Sequence, residues 1–266
     1  MRWSSNILTV LMVMLMACEE LIDQPVQSED SNMLIVEGIL TNEKKNHVIK
    51  LSRPSATQNA RQLPASGAIV RVIEGNTIYL VNESPAGSGN YLTEEMRAVS
   101  GRAYILYIQY QGKEYFAQDS PVPVEPLSKL DYRKVIDLYA LNFNQSGKGP
   151  NFIDHDITWK NTASCASGTS CEGRIVFYDL KTVDVNELFK PSKQEFVFPQ
   201  GTTIIRKKYS CSPSFQIFLR SVLSETEWRG GVFDVQRANA TTNLSNGAIG
   251  FFAVATVVGD TTVIKP

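Results

Sequence analysis

Between residues 33 and 124 the chain is cut into short apolar runs, each rich in β-branched or aromatic residues and each closed by Gly, Pro, Asn or Ser. Residues 33–40, 48–52, 68–74, 77–82 and 104–111 are runs of this kind, and their lengths and composition are those of strands. Residues 103–110 are apolar at nearly every position, which predicts a central strand of a two-sheet sandwich. Gly75-Asn76 predicts a tight hairpin between its neighbours. Gly67, Gly89 and Gly101 punctuate three turns, where a positive φ costs glycine little. The region reads as an all-β module of the immunoglobulin-like or transthyretin-like kind.

Pro121, Pro123 and Pro126 mark the crossing into a second region, because proline removes a ladder donor and is excluded from central strands. The boundary is expected near Glu125. Beyond it, residues 153–159, 174–180, 194–198, 202–208, 214–219 and 248–258 read as strands. One short helix is expected to start at Ser224, whose hydroxyl can cap while Glu227 reaches back. The predicted organisation is therefore mainly β, with a β-sandwich over 33–124 and a β-rich domain with one short helix over 125–266.

The first eighteen residues carry Arg2, a run over 7–16 that is apolar except at Thr9, and then Leu15-Met16-Ala17-Cys18. A basic start, a short apolar stretch and a small residue at the boundary describe a secretory signal, and the run is too short for a membrane helix. The Cys at the boundary makes this a bacterial lipoprotein signal, in which the Cys18 thiol accepts diacylglycerol and becomes the first residue. Acyl chains contribute about 0.8 kcal/mol per buried methylene, so two or three of them hold a domain on a bilayer almost permanently. Residues 18–32 follow as a polar, acidic tether with too little apolar surface to fold.

Lys and Arg number 26 against 27 Asp and Glu and are scattered, which leaves no electrostatic footprint for nucleic acid. Beyond Cys18 three cysteines remain, Cys165, Cys171 and Cys211, and an odd count in an oxidising compartment predicts one disulfide and one thiol. Cys165 and Cys171 flank a turn-rich stretch between two strand-like runs, so a bridge closing that loop is the first choice, with Cys171 to Cys211 as the alternative. A six-residue cysteine step without a nearby His matches no usual zinc spacing.

Ten Tyr, twelve Phe and three Trp raise the prospect of a ligand platform, although aromatic residues more often fill sandwich cores. The candidate binding aromatics are Trp159 near a strand end, Trp228 on the expected helix, and Tyr132 and Tyr139, which bound a short stretch. Asp154-His155-Asp156 has the composition of a metal or acid/base cluster, but on a strand residue 155 points away from its two neighbours. His47, beside Lys44 and Lys45, is expected in an exposed hairpin loop. The chain has no Gly-x-Ser-x-Gly and no Gly-rich phosphate loop, and Glu94-Glu95 is an ordinary surface pair. No catalytic residue, metal or cofactor is expected.

Residues 34–42 (Leu-Ile-Val-Glu-Gly-Ile-Leu-Thr-Asn), 64–72 (Pro-Ala-Ser-Gly-Ala-Ile-Val-Arg-Val), Gly89-Asn90-Tyr91 and 243–252 (Asn-Leu-Ser-Asn-Gly-Ala-Ile-Gly-Phe-Phe) resemble the opening and closing segments of domain of unknown function family 4249. The resemblance spans nearly the whole mature chain. It implies a Bacteroidota outer-membrane lipoprotein, commonly encoded beside a TonB-dependent receptor and presumed to assist it. Gly230-Gly231 departs from the longer helix the resemblance implies. Glu19, Glu20 and Asp23 resemble the acidic signal that sends such lipoproteins to the cell surface, with a periplasmic face as the alternative. Asp260-Thr261-Thr262 resembles an O-glycosylation tripeptide of exported proteins of that phylum. The expected function is non-enzymatic: an accessory binding partner of a TonB-dependent receptor in nutrient uptake. The alternative is a structural or adhesive envelope protein that binds glycan or another surface protein.

Overall fold

In the computed structural model, the described residues are 33–55, 61–143, 149–160, 170–180, 196–226 and 240–266. The first region forms β1 (Ile35–Thr41), β2 (Val48–Arg53), β3 (Leu63–Pro64), β4 (Ile69–Glu74), β5 (Thr77–Glu83), β6 (Asn90–Thr93), β7 (Tyr104–Tyr110) and β8 (Lys113–Asp119). The second contributes β9 (Tyr132–Val135), β10 (Leu138–Leu141), β11 (Asn151–Lys160), β12 (Ser170–Asp179), β13 (Val197–Phe198), β14 (Thr203–Ser210), a helix α1 (Pro213–Thr226), β15 (Ile249–Ala255) and β16 (Val257–Val263). The chain is mainly β with one helix among the described residues, as its sequence predicts.

The large sheet runs β15-β1-β2-β6-β5-β4-β7-β8, with β3 attached to β2. It wraps into a nearly closed, barrel-like surface. Alternate residues turn Val36, Leu51, Val72, Tyr91, Leu106 and Ile108 into one core, on the period of two that strands impose. The gap between β8 and β15 is spanned by polar side chains. The Asn243 side chain accepts the Phe252 N–H at 3.1 Å and donates to the Phe252 carbonyl at 2.8 Å and the Gln118 carbonyl at 3.3 Å. Asp119 accepts the Val254 N–H at 2.8 Å, and Ser245 Oγ accepts the Phe116 N–H at 2.8 Å.

β15 comes from the end of the chain, yet it lies parallel to β1 from Ile35↔Ile249 to Thr41↔Ala255. Its two faces are buried in different cores. Phe252 and Val254 point into the first, whereas Phe251 and Ala253 join Phe152, Phe215 and Leu223 beneath α1. A four-stranded sheet, β12-β11-β14-β16, and a small sheet, β13-β10-β9, enclose a third core around Leu141, Ile157, Phe198 and Ile204. Pro121, Pro123 and Pro126 lie in the strandless stretch between β8 and β9. Arg206 holds that stretch in place: its guanidinium donates to the Ser128 carbonyl at 2.8 Å and pairs with Asp260.

Several expectations are corrected. Residues 214–219 are helical, and the helix begins at Pro213 instead of Ser224, which lies near its end. Ser212 is the cap, its Oγ accepting the Phe215 N–H at 3.3 Å, and Pro213 opens the helix, where a missing N–H costs nothing. The single apolar run over 248–258 is two strands in two sheets. It breaks at Thr256, whose N–H goes to Ser210 Oγ at 2.8 Å. His47 is buried, 1% exposed, against the β1–β2 turn, where its Nε2 accepts the Thr41 N–H at 3.0 Å. Cys211 is a free, buried thiol, pushed up to about 12 by desolvation, so the alternative bridge to Cys171 does not form. Cys171 is itself not free; Cys165, its first-choice partner, lies outside the described residues.

Candidate partner-docking face

The sequence candidates are dispersed or absorbed into cores. Cys18 and Trp228 lie outside the described residues. Tyr132, Tyr139 and Trp159 are brought together, but as parts of the third core: Tyr139 is buried, Tyr132 meets it edge-on at 5.9 Å, and Trp159 packs edge-on against Phe196 at 5.8 Å. The core reading of these rings therefore holds, with Tyr132 and Trp159 half-buried at its margin. In the Asp154-His155-Asp156 segment the alternation of a strand is kept. His155 is buried and bonds the Ile175 carbonyl at 3.2 Å, while Asp154 turns the other way to make a two-pronged pair with Arg174 at 2.8 and 2.6 Å. Burial lowers the His155 pKa, which favours the neutral ring.

One apolar surface among the described residues is a feature that sequence reasoning passed over. Strands β5, β4, β7 and β8 are neighbours in the large sheet, and their outward residues align in cross-strand rows. One row is Ile78, Ile73, Ile105 and Gln118; the next is Leu80, Arg71, Tyr107 and Phe116. Ile69, Gln109 and Glu114 close the face with a more polar row, beside the exposed Asn82 two residues beyond Leu80 on β5. Ile78 and Leu80 are more than half exposed, at 56% and 51%, and Ile69 and Phe116 are close behind. No described element covers this face.

Its centre is ordered. Tyr107 and Phe116 are cross-strand partners with ring centroids 5.2 Å apart, and the Arg71 guanidinium lies 5.7 Å from the Tyr107 ring centroid. The Tyr107 hydroxyl donates to Glu114 at 2.8 Å, and that hydrogen bond raises its pKa. Arg over Tyr beside Phe, set among Ile and Leu and rimmed by Asn, Gln and Glu, is the composition of an interface centre with a polar border. Single exposed apolar residues are ordinary, whereas contiguous rows of them make this face a candidate binding surface.

The signal was present in the sequence. Residues 69–73, 78–81 and 104–108 are apolar or aromatic at both parities of the strand, apart from Arg71. Over 103–110 the pattern predicts a central strand between two sheets, whereas the first region is one nearly closed sheet whose outer face here has no second layer among the described residues. β7 is indeed central, paired with both β4 and β8, yet its outer residues Ile105 and Tyr107 are only half-buried. Burial and docking leave the same pattern in a strand, because both need apolar residues on the second face.

The family model of the domain of unknown function DUF4249 matches residues 19–260. No curated protein matches the chain.

Proposed function

We propose that this chain, which belongs to the DUF4249 family, is a lipid-anchored accessory protein of the outer membrane that docks on a TonB-dependent receptor and assists nutrient capture. The observation that carries the docking is the apolar outer face of β4, β5, β7 and β8, with Arg71, Tyr107 and Phe116 at its centre. In this reading the protein binds and does not catalyse. Cys18 carries the acyl chains, the acidic residues after it direct the protein to the cell surface, and Cys165 and Cys171 close a loop by a disulfide.

The test is purification of the lipidated protein from mildly solubilised outer membranes, with mass spectrometric identification of what copurifies. A TonB-dependent receptor is expected in near-equal amount. The double variant Y107A/F116S is expected to recover at least tenfold less of it, since removal of two central residues worth about 2 kcal/mol each exceeds that factor. Recovery of the protein alone would overturn the receptor reading and favour an adhesive, glycan-binding role. Two further outcomes bear on the anchor and the loop. Cys18→Ala should release the protein from the membrane fraction, and mass mapping of the unreduced protein should find Cys165 linked to Cys171.

A further inference from the structure

The hairpin of β9 and β10 turns at Ile136-Asp137, with Val135 paired to Leu138 across the turn. Its base is fixed. Tyr139 is buried in the third core, Arg133 donates to Asn142 Oδ1 at 2.6 Å, and the Asn142 N–H goes to the Asp131 carbonyl at 3.1 Å. Its tip is unusual in two ways at once. Ile136 has φ of 58°, a left-handed conformation that a β-branched residue adopts only under strain, and its side chain is 87% exposed. Glycine or asparagine would relieve the backbone, and nothing inside the fold is gained by the isoleucine. Leu138, on the returning strand, is also exposed, and Lys134 and Lys129 stand exposed near the hairpin base.

We infer that this tip is a membrane-contacting finger. Ile136 and Leu138 enter the acyl boundary of a bilayer, and Lys134 and Lys129 lie against its phosphate headgroups. The inference rests on the lipid-anchor reading for the bilayer's proximity. Fourteen residues, 19–32, separate Cys18 from the start of the described fold. They reach about 50 Å when extended, enough to let any side of a domain this size face the membrane. Two apolar side chains are too few to capture a protein from solution. For a tethered domain, however, contact is an intramolecular event, so a weak site suffices to select one orientation. Around the tip the exposed cations Lys129, Arg133 and Lys134 outnumber the exposed carboxylates Asp131 and Asp137, so the hairpin is net cationic. A bilayer suits it because those cations match phosphates while Ile136 reaches the hydrocarbon and the Asp137 carboxylate beside it stays at headgroup level.

The experiment places a polarity-sensitive thiol dye at Ile136→Cys in the full-length lipidated protein, in vesicles of phosphatidylcholine and phosphatidylglycerol. Lys113→Cys, in the β7–β8 hairpin, is the control; the buried Cys211 thiol does not compete for the dye. A blue shift and several-fold brighter emission at position 136, quenched by spin-labelled lipid and absent at 113, are expected. Flotation reports the anchor separately. The same label is also read on the Cys18→Ala chain held to the vesicles by an N-terminal nickel-chelated tag, so the hairpin is tested whether or not Cys18 is lipidated. Water-like emission at 136 in vesicle-bound protein overturns the finger, as does a shift that appears only when membrane proteins are present. A dye at Leu138→Cys in an Ile136→Gly background should lose most of its quenching although the variant melts at a higher temperature, an outcome that a loss of folding cannot mimic.

Discussion

The imidazole of His47 sits where a charge is costly. Burial comes first and the Lys45 ammonium second in lowering its pKa from 6.5 to about 4. The geometry agrees with that direction, since Nε2 is occupied as an acceptor from the Thr41 N–H at 3.0 Å and from Thr41 Oγ1 at 3.1 Å, and Nδ1 has no partner among the described residues. An unfolded His takes up its proton near 6.5, so between there and pH 4 the unfolded chain binds more protons than the folded one. The contribution is therefore fully present above pH 6.5 and is lost on acidification towards pH 4. Melting temperature should fall over that interval, and H47Q should show a shallower fall than the parent. Equal slopes for the two proteins in thermal scans from pH 7 to pH 4.5 would remove His47 from the account. His155 has the same sign and keeps part of the slope in the variant. Neither burial was legible in sequence: His47 follows two lysines and a turn, and it is drawn inward by long-range pairing of its backbone with Thr93 and by the bond of its ring to Thr41.

α1 shows how a local cap overrides the propensity of a short run. Residues 214–219, Ser-Phe-Gln-Ile-Phe-Leu, have strand-like composition, but Ser212-Pro213 starts a helix. Helical spacing then brings Phe215, Phe218, Leu219 and Leu223 to one side, against Phe251 of β15. Ser212→Ala removes the cap and should cost about 1 kcal/mol, read as a lower midpoint in urea with the slope unchanged. The large sheet was more legible. Five of its strands and the Gly75-Asn76 hairpin follow from β-branched and aromatic runs of strand length bounded by turn residues. β6 and β8 are less apolar and were not read, and β15 was not separable from β16, since the run 248–258 is apolar without period. Gly250 in that run is fixed by its neighbours. It has φ of 93°, and a Cβ there would collide with the Val36 carbonyl oxygen. Gly250→Ala is thus expected to destabilise by more than about 1 kcal/mol, the scale for strain at a left-handed residue, and chemical denaturation measures it. Of the candidate docking face, the apolar residues were visible but their exposure was not, because a sequence does not say which second layer is missing.

At the scale of the molecule, β15 makes the two regions interdependent. Its Phe252 and Val254 complete the core of the first, and its Phe251 and Ala253 form the floor under α1 in the second. The junction is reinforced by Asn42, whose side chain accepts the Val257 N–H at 2.7 Å and donates to the Val257 carbonyl at 3.2 Å, and by the Lys207–Glu43 pair at 2.6 Å. Neither region can release β15 without exposing both cores, so the Cys18→Ala chain should unfold in one step. Far-UV circular dichroism, which reports every strand, and tryptophan fluorescence, which includes Trp159 in the third core, should trace coincident curves. Asn243 provides the sharper test, because it closes the sheet from outside the ladder. Asn243→Ala leaves the Phe252 N–H and carbonyl without their side-chain partner, a loss of about 2–4 kcal/mol for two such groups. If closure and interdependence both hold, that loss moves the whole transition, in both signals and by the same amount. A variant that shifts the circular dichroism curve and leaves the fluorescence curve in place would show instead that the regions unfold separately, with β15 belonging to only one of them.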